Sequence, residues 1–583
     1  MIALRWLYLG LVLATTASAT TRLFNVLRVD GLDAAESAYL LLFAILFTWI
    51  SASFWLACIG AYARWRGLSA GTLIHPTQGD RQFGGSASRT ALLFPVRNEE
   101  ASRLFAGISA VCDSIRERGA HDHFDVFILS DSNDPDCVAQ EQQGWRDLRR
   151  EIGQGIYYRH RTDNIGKKSG NIAQFCRNWG RLYDYMVVLD ADSLMTGETL
   201  VSLVRLMDLN PKSALIQVSP QLVGQDSLFA RIQQFASSVY GPIYTAGLAL
   251  LQGPGGNYWG HNAIIRVAAF MQNCGLPKLP GRAPLGGEIM SHDFVEAALL
   301  LRAGWEVHLV TTLDGSYEEP PTTLLDHLAR DRRWCQGNLQ HLRLIFAQGF
   351  RTESRGHFLA GVMSYVSSPL WLALILASIA MMLDPVHVEP VTYFGRYPLI
   401  AWPVSHTTDL LALLGETAGL LYGPKLLGLL LVLRGQETRR AHGGGWKAVV
   451  SVALESLFST LLAPIAMLSQ SGFVVRILLG ETKGWGVQRR DAGGLGWRLI
   501  ARVFAVHTLI AVIGCIVVYL LLPGCIWWFV LLFAGPAMAI PFVSLTSSTA
   551  VGRWTSRHGL FMTAEDAGRI EIVKRVKLSL SRA

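Results

Sequence analysis

Tyr185-Met186-Val187-Val188-Leu189-Asp190-Ala191-Asp192 decides how this chain is read. Five apolar residues, two of them β-branched, predict a short buried strand, and the two alternate carboxylates fall at its carboxyl end. Open α/β sheets bind ligands outside the carboxyl ends of their strands. Two carboxylates placed there can hold a hard divalent cation that shares its shell with substrate phosphates. On its own, Asp-Ala-Asp-Ser is also good helix-capping sequence.

Working outward, four more apolar runs have the same form. Thr90 to Val96 closes on Arg97-Asn98-Glu99, and Phe124 to Leu129 closes on Ser130-Asp131. Ala214 to Val218 and Glu306 to Val310 complete the set. Helical stretches separate them, so residues 88–350 predict a mostly parallel α/β sheet. Asp131 then lies at a second strand end, where it can accept hydrogen bonds from a nucleobase or ribose. Asp131-Ser-Asn-Asp-Pro135 is equally strong turn chemistry.

Three further clusters carry chemistry. Lys167-Lys168-Ser169-Gly170-Asn171 opens a helical run, where a lysine and helix amides can neutralise phosphate. A solvated basic turn is the alternative. Asp293, in Ser291-His292-Asp293, stands at a predicted helix start and is the candidate general base. A capping role competes there too. Arg330, Arg333 and Trp334 share a helix face by their i, i+3, i+4 spacing. An indole can stack on a sugar and a guanidinium suits phosphate, with lipid headgroups as the competing ligand.

The 583 residues are 51% hydrophobic and only 16% charged, low for a purely soluble chain. The net charge of +8 shows no basic stripe interleaved with aromatics, so no nucleic-acid partner is expected. Eight cysteines lack zinc-ligand spacing and read as reduced thiols. Ala38 to Ala63, Phe358 to Leu383, Leu410 to Leu433, Val503 to Leu522 and Ile526 to Leu545 are each long enough to span a bilayer. Within them, Glu416 and Lys425 are expected to face protein or a cavity. Trp6 to Ala19 is short, and is expected to be a retained anchor rather than a cleaved signal.

Arg64 and Arg66 place the central block in the cytoplasm. The acidic loop 384–409 reads as external; the basic stretches 434–447 and 473–498 and the tail read as cytoplasmic. Segment 448–472 is apolar enough to cross yet has cytoplasmic flanks. It is therefore expected to lie in the interface or re-enter. The resulting division is an N-terminal hairpin over 1–66, a cytoplasmic domain over 80–350, and a membrane bundle over 358–546. That bundle contains the interfacial segment 448–498, and a basic tail follows over 547–583.

The longer motifs are Lys168-Ser-Gly-Asn171, Tyr258-Trp-Gly-His-Asn-Ala-Ile-Ile-Arg266, Gly287-Glu-Ile-Met-Ser-His-Asp-Phe-Val-Glu296 and Arg330-Asp-Arg-Arg-Trp-Cys-Gln-Gly-Asn338. Together with Leu129-Ser-Asp131 and the opening strand, they resemble processive, membrane-embedded glycosyltransferase family 2 enzymes such as cellulose and hyaluronan synthases. The nearer resemblance is to the synthases of the β-1,2-linked backbone of osmoregulated periplasmic glucans. It runs from about Leu92 to Leu370.

The resemblance implies a GT-A-type α/β glycosyltransferase domain inserted between transmembrane helices of a polytopic protein of the bacterial inner membrane. It implies UDP-glucose as donor and Mg2+ (or Mn2+) as cofactor. Asp131 would meet the uridine, Asp192 the metal with Asp190 beside it, and Asp293 would be the base. Lys168, Arg330 and Arg333 would contact the nucleotide sugar; Trp334, Trp259 and His261 the acceptor. Arg330 replaces the Gln of the wider family's Gln-x-x-Arg-Trp motif. Gly484 to Arg490 occupies the place of a gating loop. Implied partners are the growing glucan chain, membrane lipid and a periplasmic glucan-processing protein. Partners that dock on long N-terminal extensions of relatives are expected to be absent. Alternative readings are a synthase of another, cellulose-like polysaccharide, a lipid-linked sugar transferase, and a non-catalytic nucleotide-sugar sensor.

Overall fold

A computed structural model describes residues 2–28, 32–68, 72–74, 88–383, 393–394, 397–398, 406–481 and 495–582. The expected apolar runs form strands β1 (Thr90–Val96), β2 (Phe124–Ser130) and β4 (Tyr185–Val188), and every residue of β2 and β4 is buried. Ile156–His160 adds an unexpected β3, which falls between β2 and β4 in the sequence and at the edge of the sheet. Three short strands, β5 (Leu194–Met195), β7 (Gln221–Leu222) and β10 (Ser316–Glu318), make a small second sheet ordered β5-β10-β7. The remaining strands are β6 (Ser213–Val218), β8 (Ala263–Arg266) and β9 (Glu306–Val310).

The main sheet runs β3-β2-β1-β4-β8-β6-β9. It is parallel except at β8, which pairs antiparallel with both β4 and β6. Leu92, Phe94 and Val126 pack on one face, and Leu93, Phe127 and Val188 on the other. That two-sided burial explains why β1, β2 and β4 read as unbroken apolar runs. The fold is the mostly parallel α/β domain expected, with candidate membrane helices on either side of it.

Six helices among the described residues are long and apolar enough to cross a membrane: Ile2–Leu27, Ala34–Arg66, Thr352–Leu383, Thr407–Arg434, Gly445–Leu478 and Trp497–Leu521. The first is 26 residues, far longer than the short segment predicted at Trp6 to Ala19. The segment expected at Ile526 to Leu545 is two helices, Ile526–Ala537 and Ala539–Thr546, bent by 54°. Glu416 and Lys425 are not each other's partners. Arg22 lies 3.0 Å from Glu416, and Lys425 lies 2.9 Å from Glu455. The stretch 484–490 and most of the loop 384–409 lie outside the described residues.

Helix Leu228–Gln252 joins the sheet domain to the bundle. Gly60 and Gly247 let it touch Ala34–Arg66 backbone to backbone: a β-carbon at Gly60 would fall 1.7 Å from the Ile243 carbonyl oxygen. Arg5 ties the first helix down. Its guanidinium donates to the Leu251 and Gln252 carbonyls at 2.8 Å each and to Glu353 Oε1 at 2.7 Å.

Gly445–Leu478 is one unbroken helix of 34 residues, about 51 Å long. Near one end, Ser451 Oγ accepts from the Phe561 amide at 3.0 Å, and Phe561 in turn receives Arg231 of helix Leu228–Gln252. Near the other, Gln470 Nε2 donates to Asp331 Oδ2 at 2.8 Å. Just beyond it, Glu481 pairs with Arg332 at 2.6 Å. Both ends thus meet the sheet domain or the tail bound to it. That tail turns back onto the domain: Ile570, Ile572 and Val573 enter the core of β1 and β2, and Arg575 pairs with Glu117 at 2.6 Å.

Candidate active site

All ten residues singled out in the sequence line one cleft of about 1050 Å3. They are Asp131, Lys168, Asp190, Asp192, Trp259, His261, Asp293, Arg330, Arg333 and Trp334. The cleft lies along the carboxyl ends of β1, β2 and β4. It continues to Gly361, Ser364 and Tyr365 of helix Thr352–Leu383 and to Gln470 of Gly445–Leu478.

Asp131 follows β2 directly and is buried. Arg161 forks onto both of its oxygens, with Nη2 at 2.6 Å from Oδ2, and Asn164 Nδ2 donates to its carbonyl at 3.2 Å. The turn chemistry belongs to a neighbour instead: Asp134 Oδ1 accepts from the Asp136 amide and caps helix Pro135–Ile152. Sequence reasoning passed over Arg161. It ends β3 as Asp131 ends β2, so the rule about strand ends would have found it had Ile156–His160 been recognised as a strand.

Asp190 and Asp192 follow β4 and cap no helix; Thr196 caps the next one. Lys168, in the first turn of helix Lys167–Trp179, sets its ammonium on Asp190 Oδ1 and donates to the Gly260 carbonyl at 2.8 Å. His261 Nε2 lies 3.2 Å from Glu318 Oε2 at the end of β10. Burial raises the Glu318 pKa; His261 and Arg330 oppose that, while Asp192 and Asp190 reinforce it. Burial alone would lower the His261 pKa, but Glu318 and Asp190 outweigh it and the shift is upward. Glu318 was not singled out either. Glu318-Glu319-Pro-Pro carries no strand signal of its own and reads as a loop.

Among the described residues no group of three or more His, Cys, Asp or Glu side chains forms a metal cage. The donors present still suit Mg2+ or Mn2+, which take one or two carboxylates and complete their shells with water and phosphate. The Lys168 ammonium on Asp190 marks the same place as one that accepts positive charge.

Asp293 sits in the first turn of helix His292–Arg302, where Ser291 holds the capping position, so Asp293 is not the cap. Its carboxyl pKa is raised, first by burial and then by Glu296, against the opposing pull of His292 and Lys168. Gly260, at φ +90°, comes close enough that a β-carbon there would lie 3.2 Å from Asp293 Oδ2. The Arg330 guanidinium stacks 4.5 Å from the Trp334 ring centroid. Burial, and after it Arg330, lowers the Arg333 pKa.

The sequence is similar to those of known glycosyl transferases. Residues 92–273 match Glycosyl transferase family 2, and residues 185–412 match Glycosyl transferase family group 2. A glucans biosynthesis glucosyltransferase H of Cupriavidus pinatubonensis is 44% identical over 97% of this chain, which spans 65% of that relative's own length. One of Rhodopseudomonas palustris is 43% identical over 96% of this chain and 77% of its own. Among solved structures, a mannosyltransferase from Pyrobaculum calidifontis in complex with GDP-Man and Mn2+ is 15% identical with a TM-score of 0.43, over 67% of this chain and 94% of that one. The identity and its extent place the chain in glycosyl transferase family 2, as a member of the family of the glucans biosynthesis glucosyltransferases H.

Proposed function

We propose that this glycosyltransferase takes glucose from UDP-glucose with inversion, extends a β-1,2-linked glucan, and passes the chain across the bacterial inner membrane. The observation that carries the reading is the single cleft. It holds the carboxylates, the cations and Trp334 together, and it runs on to the membrane helices.

In this mechanism Asp131, oriented by Arg161, accepts hydrogen bonds from the uridine. Lys168 turns from Asp190 to the diphosphate, assisted by the amides of its helix N-terminus. Arg330 and Arg333 offer guanidinium forks to the same phosphates. Asp190 and Asp192 would hold Mg2+ or Mn2+, which when bound would supply charge stabilisation for the leaving diphosphate. Trp334 and Trp259 present ring faces to the acceptor glucan, with His261 beside them. Asp293 removes the proton from the acceptor hydroxyl as it attacks the anomeric carbon from the face opposite the diphosphate. A carboxyl whose pKa is raised by burial is a stronger base than an exposed one.

The same proposal orients the chain. If Gly445–Leu478 lies along the interface, both its ends can meet the domain on one side of the membrane. Four crossings then follow the domain: Thr352–Leu383, Thr407–Arg434, Trp497–Leu521 and the bent pair. They return the tail to the domain that it packs against. The test is UDP release and product linkage from purified protein supplied with UDP-glucose and Mg2+. Glucan with β-1,2 linkages supports the reading; UDP release with another linkage removes its subfamily part, and no turnover with any UDP-sugar removes the whole.

A further inference from the structure

Two cavities meet at the first turn of helix His292–Arg302, with Lys167, Lys168, Met290 and His292 in the walls of both. One is the catalytic cleft. The other is a second cavity of about 980 Å3, and Asp293 is not part of its wall. His292 lines both, while Glu296 lines only the second. The periodicity of the helix explains the arrangement. His292 and Glu296 lie four residues apart on one stripe, and Asp293 is rotated about 100° from it.

His292 is 8% exposed and Glu296 2%. His292 Nδ1 is 3.1 Å from Glu296 Oε1, yet that nitrogen and the other carboxylate oxygen, Oε2, both lack an aligned hydrogen-bond partner. Buried polar atoms without partners are rare and call for a reason. The rim of the second cavity is exposed at Asp163, Lys278 and Glu288, so the space opens to solvent. At about 30 Å3 per molecule it has room for a chain of waters.

Glycosyl transfer sets a proton problem here. Each turn breaks the bond from the anomeric carbon to the diphosphate oxygen, whose electron pair leaves with UDP. It makes the bond from that carbon to the acceptor oxygen, and the hydroxyl proton passes to Asp293. UDP carries one more negative charge than UDP-glucose, so one proton must reach solvent for each sugar added. During extension, donor and glucan fill the front of the cleft. Taking the proposed reaction as given, we infer that the proton leaves by the back: from Asp293 to His292, to Glu296, and through the second cavity to solvent. The titratable groups facing this route from other elements are Lys168, Tyr258, Cys274 and Cys176. Of these, Lys168 is engaged with Asp190, and burial pushes Tyr258, Cys274 and Cys176 upward, leaving them protonated.

The test measures steady-state UDP release from the full chain against the concentration of a small buffer, imidazole. Glu296→Gln and His292→Gln are expected to lose roughly a hundredfold in kcat in dilute buffer, within the range one proton-transfer group contributes. KM for UDP-glucose should stay near the parental value, concentrated imidazole should restore the rate, and Glu296→Asp should retain it. Retained UDP-glucose binding identifies the variants that have folded, and each of the two is read independently. Parental kcat in dilute buffer, or a loss that imidazole does not repair, overturns the route. Failure of the underlying reading looks different, since Asp293→Asn would then still release UDP.

Discussion

Gly260 turns its bare α-carbon toward Asp293, so that a β-carbon there would sit 3.2 Å from Oδ2. Its φ of +90° is one that glycine adopts freely and alanine does not. Gly260→Ala should therefore cost about 1–2 kcal/mol of stability, and the crowded carboxylate should cut kcat more than KM. Thermal unfolding and UDP-release kinetics measure the two effects separately.

Asp293→Asn should abolish transfer by about 100-fold or more while leaving the fold intact. The stability sign follows from the raised pKa. A folded-state value above the unfolded one means that the ionised carboxylate costs folding free energy once pH rises past the unfolded value. At neutral pH the amide removes that cost. The variant's Tm should accordingly equal or exceed the parental one, and a lower Tm would contradict the environment described for Asp293.

The same shift fixes the pH profile. A base works deprotonated, so kcat/KM should fall as pH drops through the raised Asp293 pKa. After burial, Glu296 is the main contributor holding that pKa up, and His292 and Lys168 pull it down. In concentrated imidazole, Glu296→Gln should move the acid limb to lower pH. Movement to higher pH would count against this assignment of charges.

Arg231 is 6% exposed and holds Asp566 of the tail at 2.9 Å. Removing one member of a buried pair strands the other, so Asp566→Ala should destabilise by about 3 kcal/mol. A Tm at the parental value would show that the tail is not part of the folded domain.

A cysteine at position 481 tests the course of helix Gly445–Leu478. Its neighbour Arg332 belongs to the catalytic domain, so labelling should occur only from the cytoplasmic side of intact membranes. Labelling from outside would return 448–472 to the crossing segments.

The parts of this fold that were legible are those with a strong local signal. β1, β2 and β4 are buried on two faces, and a run such as Met-Val-Val-Leu has no other good use. β3 was missed because Ile-Tyr-Tyr-Arg-His lies at the sheet edge and exposes polar side chains. Arg161 was missed with it. β8 carries no strand signal of its own, since nothing in Ala-Ile-Ile-Arg announces an antiparallel partner. Glu318 reaches the cleft through a three-residue strand whose pairing with β5 and β7 is wholly tertiary. The bend at Ala537–Ala539 and the partners of Lys425 and Glu416 depend on packing between distant helices, to which hydropathy is blind. Of the cleft residues, Asp131, Asp190 and Asp192 were legible because they follow strands, and Lys168 and Asp293 because they open helices; Arg330, Arg333 and Trp334, well inside helix Leu324–Gln340, stood out only by their shared spacing.

The return of Ile570, Ile572 and Val573 to the core of β1 and β2 bears on how the protein is made. The ribosome completes the strands of the catalytic domain long before it reaches these residues. Every membrane helix from Thr352 onward must first be synthesised and inserted, a matter of tens of seconds at ordinary translation rates. Throughout that interval the apolar surface that these three side chains cover lacks its partner from the tail. A chain assembled in this order has its candidate membrane helices in place before its glycosyltransferase domain is complete.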